Sequence, residues 1–280
     1  MQDEFGDRMK AYEAQYTNDR VVEPFIYARL DGRGFSKFTK DMVKPFDWRM
    51  TGAMQVVTQY LVEKTQALIG YTQSDEISLA WRGNEIMFDC KIQKLTSVLA
   101  GMASARFMKE MMERQRNTSF TFNPPVERIP HFDCRVFGLP SEEELANAFL
   151  WRVKDCRRNA ISMIAQSKYS HKSLQGMSTR EMIERLDRDG VEVWKYPADL
   201  ISGSMYKRKL VERKLTSWEL IQIPEKHRPD PNQLVIRHEI QLQIHNATYP
   251  SIKEAIFGKC MDLLADQPDM KEISLGEQVP

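Results

Sequence analysis

Between Tyr71 and Trp81 the chain reads as a tight β-hairpin. Ile77, Leu79 and Trp81 alternate with Ser78 and Ala80, the two-residue period of a strand with one covered face. Ahead of them residues 67–71 form a second short strand, and the polar turn Gln73-Ser74-Asp75-Glu76 carries two acids between them. A second segment ends in the same way. Residues 24–30 read as a buried strand opened by Pro24, and Asp31 closes it where it enters the glycine loop Gly32-Arg33-Gly34-Phe35-Ser36.

The order around these two turns fixes a fold class. Residues 48–68 have helical spacing, with Met50, Met54, Val57, Tyr60, Leu61 and Leu68 on one side, and residues 88–114 predict a long helix rich in Met and Ala. Phe132 to Phe137 is a further strand. Strand, helix, hairpin, helix, strand is the split β-α-β, ferredoxin-like pattern: an α+β, palm-like domain of antiparallel strands with its helices on one face. In that topology the end of the first strand and the hairpin turn share one edge of the sheet. That sharing allows Asp31 and Asp75, 44 positions apart, to meet. Asp7 to Thr17 predicts a short amphipathic helix with Met9 and Tyr12 on one face.

After Pro140 the pattern becomes mostly helical. Ser141 and Glu144 predict a capping box opening a helix to about residue 166, and Ser178 with Glu181 a further helical start. Residues 194–206 read as irregular, 207–215 and 217–223 as strands, Leu234 to Ile244 as an alternating strand, and 251–264 as a last helix. The expected domains are a palm over 1–138, a basic part over 139–223, and an extension over 224–280.

Two carboxylates brought together beside a glycine loop make a hard-oxygen site suited to Mg²⁺, which takes one or two carboxylates plus substrate phosphates. Asp31 and Asp75 would supply the carboxylates and Gly32 a carbonyl. Bending at Gly32 and Gly34 turns backbone N–H groups toward a triphosphate. Lys44, Arg49, Lys91 and Lys94 are available to neutralise phosphate charge. Such a site performs phosphoryl or nucleotidyl transfer. Read from the residues alone, Asp-Gly and Ser-Asp-Glu are also ordinary tight turns. The five histidines have no metal-ligand spacing, and neither a Gly-x-Ser-x-Gly elbow nor a Walker A lysine is present.

Composition bounds the rest. With 42% hydrophobic and 28% charged residues the 280-residue chain can fill a core. Its apolar runs fall short of the roughly 20 residues of a membrane helix. The polar start Met1-Gln2-Asp3-Glu4 is unlike a signal peptide, and Cys90, Cys134, Cys156 and Cys260 lie far apart; together these predict a cytoplasmic protein. Net charge is +1, but residues 150–215 hold 15 Lys and Arg against 8 Asp and Glu. Arg152, Arg157, Arg158, Lys207, Arg208 and Lys209 are candidate RNA contacts on this count, and a solvated helix face is the plainer alternative.

At these residues the chain resembles the tRNA-histidine guanylyltransferases and their guanylyltransferase-like relatives, the 3′-to-5′ RNA polymerases. The resemblance rests on Arg29-Leu30-Asp31-Gly32-Arg33-Gly34-Phe35, Lys44-Pro45-Phe46-Asp47-x-Arg49, Tyr71-x-Gln73-Ser74-Asp75-Glu76, Lys94, Trp151-Arg152-x-x-Asp155-Cys156, and Met205-Tyr206-Lys207-Arg208-Lys209. It covers about residues 5–215. It implies two Mg²⁺ ions on Asp31, Gly32 and Asp75, with Glu76 supporting the acids. Asp31 to Ser36, Lys44, Asp47, Ser74, Asp75 and Lys94 would lie near the nucleotide. It implies GTP or ATP as substrates, tRNA as partner, and a homotetramer. The tRNA 5′ end is activated by adenylylation or through its triphosphate, and the incoming nucleotide's 3′-hydroxyl attacks it. Members dedicated to histidine tRNA carry His-Ile-Asn-Asn after Asp-Cys; here Arg157-Arg158-Asn159-Ala160 keeps only Asn159. Ser36 stands where many relatives have histidine. The first departure favours the guanylyltransferase-like branch, which repairs truncated tRNA 5′ ends against a template; the second bears on nucleotide preference and leaves guanosine open. Single guanosine addition is the nearest alternative. Outside the class, Asp31-Gly32-Arg33-Gly34-Phe35-Ser36 is also similar to a nucleotide-cyclase loop, and a catalytically silent RNA-binding protein is a third reading.

Overall fold

The computed structural model describes residues 4–17, 19–83, 85–116, 129–243 and 248–258. The palm half runs α1 (Glu4–Thr17), β1 (Phe25–Arg33), α2 (Phe35–Phe38), α3 (Trp48–Thr65), β2 (Ile69–Gln73), β3 (Glu76–Arg82), α4 (Ile92–Arg116) and β4 (His131–Leu139). After it come α5 (Glu142–Lys168), α6 (His171–Leu174), α7 (Thr179–Arg188), α8 (Ala198–Ser202), β5 (Ser204–Lys214), α9 (Ser217–Gln222), β6 (Leu234–Leu242) and α10 (Tyr249–Phe257). The strands form one sheet in the order β4-β1-β3-β2-β5-β6. β1 pairs antiparallel with β3 and β4, and β2 with β3 and β5. Its first four strands, with α3 and α4 as connections, are the split β-α-β order that the spacing predicts.

The alternation of β1 sorts its residues onto two faces. Ile26, Ala28 and Leu30 join Ile77, Leu79 and Trp81 beneath α3 and α4, where Met54, Val57, Leu61, Leu99, Ala103 and Phe107 fill the core. Gly70 of β2 lies so close beneath α3 that a Cβ there would come within 2.5 Å of Val62. Phe25 and Tyr27 turn the other way, and here the structure departs from expectation. The second face is covered too, by Leu145, Ala146, Phe149 and Val153 of α5 and by Ile252 and Ile256 of α10. Ser78 and Ala80, read as the open side of a half-buried strand, are therefore fully buried. The helix that covers them lies more than 60 positions away in sequence, beyond the reach of a local period.

A third cluster forms along the later turns of α5, where Ala160, Ile161 and Ile164 meet Leu174, Leu186 and Ile201. Ser141 caps α5 by accepting the Glu144 N–H, but the Glu144 carboxylate takes the Asn147 amide instead of closing the expected box. The box does close at α7, between Ser178 and Glu181. The predicted apolar face of α1 is open, with Met9 and Tyr12 exposed. The chain divides into a larger unit, Met1–Leu210 with His238–Phe257, and a smaller one that includes Val211–Arg237. In the smaller unit residues 217–222 are a helix, not the predicted strand. Thr216 and Glu219 form a full capping box and Arg213 grips the Glu219 carboxylate at 2.8 Å through two nitrogens. No helix among the described residues is long and apolar enough to cross a membrane.

Candidate active site

β1 delivers Asp31 to the end of the sheet where β2 turns into β3. In register, Asp31 stands opposite Glu76 on β3 and Asp133 on β4. The Gly32 amide donates to the Asp75 carbonyl at 3.0 Å, fastening the glycine loop to the hairpin turn. Two backbone features hold this join. A Cβ on Gly32 would lie 2.4 Å from the Phe35 ring, so only glycine lets that ring pack beneath the loop. Ser74 opens the turn at φ 48°, and Gly34 reaches φ 69° to start α2. Phe35 then anchors the loop through its ring contacts with Phe38, Phe107 and Phe132, centroids 5.1–5.3 Å away.

The sequence-predicted acids are thus brought together, and their electrostatics differ. Burial, and after it the charge of Asp31, pushes the Asp75 carboxyl above its usual range against hydrogen bonds from its own amide and from Ser74. No cationic side chain figures among those causes. Two neighbouring carboxylates of like charge are a setting that a bound cation would relieve. Among the described residues no group of three or more His, Cys, Asp or Glu could hold a metal by itself. The residues here that could hold a metal are Asp31 and Asp75 through their carboxylates and Gly32 through its carbonyl, with positions left for phosphate oxygens.

Glu76 differs in having a cation. It is buried, and Arg152 of α5 grips it through Nε at 2.6 Å and Nη2 at 2.7 Å. Burial outweighs the pull of the Arg152 fork, so the Glu76 carboxyl also lies above its usual range. Arg152 also donates to Asp155 at 2.7 Å, and Asp155 takes Arg158 and Asn159 as well. Asp47 is likewise closed. It caps α3, accepts the Val43 amide, and pairs with Arg49 through two side-chain contacts of 2.6 and 2.9 Å.

Beside Ser74 and Asp75 opens a cavity of about 350 Å³, between the loop over 35–47, the first turns of α3, the middle of α5, and α8. Ser36, Lys44 and Asp47 lie on its wall as predicted neighbours of a nucleotide. Met42, Met50, Met54 and Met163 give it an apolar side. This size and mixture suit one nucleotide-sized ligand.

Residues 6–140 match the family model described as Thg1, tRNAHis guanylyltransferase. A bacterial tRNA(His) guanylyltransferase (Thg1)-like protein, solved in complex with ATP, is 33% identical with a TM-score of 0.65, over 72% of this chain and 88% of that one. A second such structure, in complex with GTP, is 26% identical with a TM-score of 0.64, over 91% and 100%. The tRNA(His) guanylyltransferase of Schizosaccharomyces pombe is 31% identical over 155 residues, 54% of this chain and 57% of its own length. The chain belongs to the tRNA(His) guanylyltransferase family. That family is one of nucleotidyltransferases.

Two groups of predicted residues in this family member lie elsewhere than expected. Lys94 sits in the first turns of α4, exposed, over the Phe88 ring at 5.2 Å. The bridge Arg20↔Lys91 and the pair Phe25↔Arg82 put that helix start at the end of the sheet opposite Asp31. Six strand residues, about 20 Å, lie between the two ends, so Lys94 does not reach this chain's own carboxylates. The predicted RNA contacts do not form one surface. Arg152 is buried on Glu76, which corrects its assignment to RNA. Arg157 donates to the Ser202 hydroxyl, Arg158 pairs with Asp155, Lys207 donates to the Ile256 carbonyl and Arg208 meets His238. Lys209 is half-buried on β5. Sequence reading also missed Gln55 and Asp199, which line the cavity and bond to each other at 3.0 Å across 144 positions. Asp199 falls in the stretch read as irregular, where no period signalled it.

Proposed function

We propose that this protein adds nucleotides in the 3′-to-5′ direction to the 5′ end of tRNA, and that it repairs truncated ends against a template. The observation that carries the reading is the join of Asp31 to Asp75 through the Gly32 amide and the Asp75 carbonyl, with Asp75 on the wall of a nucleotide-sized cavity. Asp31, the Gly32 carbonyl and Asp75 would hold Mg²⁺. When bound, two such ions polarise phosphate oxygens and stabilise the leaving group of an in-line displacement. The chain's own residues do the positioning. The loop from Gly34 to Ser36 offers its N–H groups to phosphate, Lys44 and Arg33 add exposed positive charge, and the apolar cavity wall receives a base.

The ATP- and GTP-bound relatives support a nucleoside triphosphate as substrate. Templated repair is favoured over single guanosine addition by Arg157-Arg158-Asn159-Ala160, whose side chains serve Asp155 and Ser202. A homotetramer holding tRNA across subunits and a cytoplasmic location complete the reading. The test is a labelled tRNA lacking its first nucleotide, incubated with the protein, Mg²⁺ and each nucleoside triphosphate in turn. The expected result is one added nucleotide, chosen by the opposite strand. Addition of guanosine whatever stands opposite would replace repair with guanosine marking, and no addition to any tRNA end would sink the transfer reading.

A further inference from the structure

On the face of the sheet that bears Asp31, three successive cross-strand pairs join β1 to the edge strand β4: Arg29↔Arg135, Asp31↔Asp133 and Arg33↔His131. Directly opposed residues of an antiparallel pair point to the same side. The candidate catalytic aspartate is therefore flanked along its strand by basic pairs, each about 7 Å away. The side chains of Arg135 and Asp133 are 60% and 50% exposed, and their mutual contact is a loose 3.9 Å. Beside them stands Trp151 of α5, 52% exposed. Arg29 lies over its ring at 5.5 Å and Arg152 at 4.4 Å.

α5 crosses the acidic end of the sheet between two openings. Its residues Cys156, Asn159 and Met163 line the cavity on the β2 side, whereas Trp151 stands against Arg29 of β1, whose cross-strand partner is Arg135 of β4. Arg152, between them, holds Glu76. A transfer reaction needs its two substrates to reach the carboxylates from different directions, and the cavity occupies only one of these.

We propose that Trp151, Arg29 and Arg135 form a platform for the unpaired end of the RNA substrate, on the opposite side of Asp31 from the nucleotide cavity. An open indole stacks on any base, and guanidinium groups beside it take phosphate, the combination that single-stranded nucleic acid recognises. Neutral or basic partners gain nothing from the two basic pairs, and the exposed indole adds stacking on a base, which favours RNA over a protein surface. The inference rests on the transfer reading for its substrate, yet it concerns binding and can be measured without turnover.

The experiment uses the full chain and two short hairpin RNAs, one blunt and one with unpaired nucleotides at its end. Trp151→Ala is expected to weaken binding of the unpaired-end RNA by about tenfold or more, the value of one base–aromatic stack, while the blunt RNA changes much less. Arg135→Ala should weaken both RNAs alike and reduce the salt slope by about one. In steady state Trp151→Ala should raise the KM for RNA and leave the KM for the nucleoside triphosphate alone. Trp151→Phe restores binding but loses the indole quenching that RNA causes in the native protein. Equal binding of the unpaired-end RNA by native protein and Trp151→Ala, with melting unchanged, overturns the platform. An equal loss for both RNAs in Trp151→Ala overturns the stacking and leaves charge alone. Native protein that binds through Trp151 but transfers nothing keeps the platform and overturns the transfer reading, whereas undiminished transfer by Trp151→Ala at low RNA concentration does the reverse.

Discussion

Asp75 and Glu76 are adjacent in sequence, and the fold gives them opposite surroundings. Asp75 stands in the turn beside Asp31 with no cation among the groups that set its charge. Glu76, the first residue of β3, is sealed under α5 with a two-point Arg152 fork and further acid–base partners behind it. Burial raises both carboxyls, but one is open to the cavity and the other is paired and withdrawn from solvent. On the proposed reading the chemistry belongs at the first, and the second ties the hairpin to α5 so that the first stays in place.

The sharpest way to break this contrast is to neutralise the open pair. Asp31→Asn or Asp75→Asn should lower nucleotide addition by about 10⁴-fold, some 5–6 kcal/mol of barrier, in a single-turnover assay. Stability should move the other way. A carboxyl raised on folding holds more protons folded than unfolded between its two pKa values, so its charge subtracts stability at neutral pH. In the absence of Mg²⁺, Asp75→Asn should melt at or above the temperature of the native protein. A clear drop in melting temperature would show that Asp75 is structural, as Glu76 is.

Next in size is the closed pair. Arg152→Met strands the Glu76 carboxylate in the interior and should cost about 3–5 kcal/mol, the usual loss when one partner of a buried ion pair is removed. The double variant Glu76→Gln with Arg152→Met should recover most of it in urea melts. If the single and double variants are equally destabilised, the pair is not the tie between hairpin and helix.

Much of this arrangement was legible beforehand because it is local. The strand and helix periods around Asp31 and Asp75 lay within windows of a dozen residues, and the order of those elements sufficed to bring the two acids together. What failed was non-local or a contest between signals. Ser78 and Ala80 read as exposed because nothing near them announces α5. Arg152 read as an RNA contact because its basic neighbourhood outweighed a partner 76 positions away. Gln55 and Asp199 have no local signal for their bond. Residues 217–222 alternate weakly as a strand would, and the Thr216–Glu219 capping box overrides that alternation.

The smallest effect should come from Asp47, a third way of holding an acid. It lies on the cavity wall like Asp75 and is paired like Glu76, but with a cation only two residues away. Burial raises its carboxyl, and the Arg49 side chain with the Val43 and Arg49 amides more than offsets that, so its pKa lies below the usual range. A carboxyl lowered on folding adds stability that is complete above the unfolded value, near 3.9. That stability is lost as pH falls through the lower folded value. Asp47→Asn keeps an oxygen for the cap but loses the charge that Arg49 needs. Its cost should be about 1–2 kcal/mol at pH 7, and the difference from native protein should shrink as the pH falls below about 4. Equilibrium unfolding at both pH values measures this directly. A gap between variant and native protein that stays constant down to pH 3 would show that the Asp47 charge contributes nothing and that its cap alone accounts for the loss.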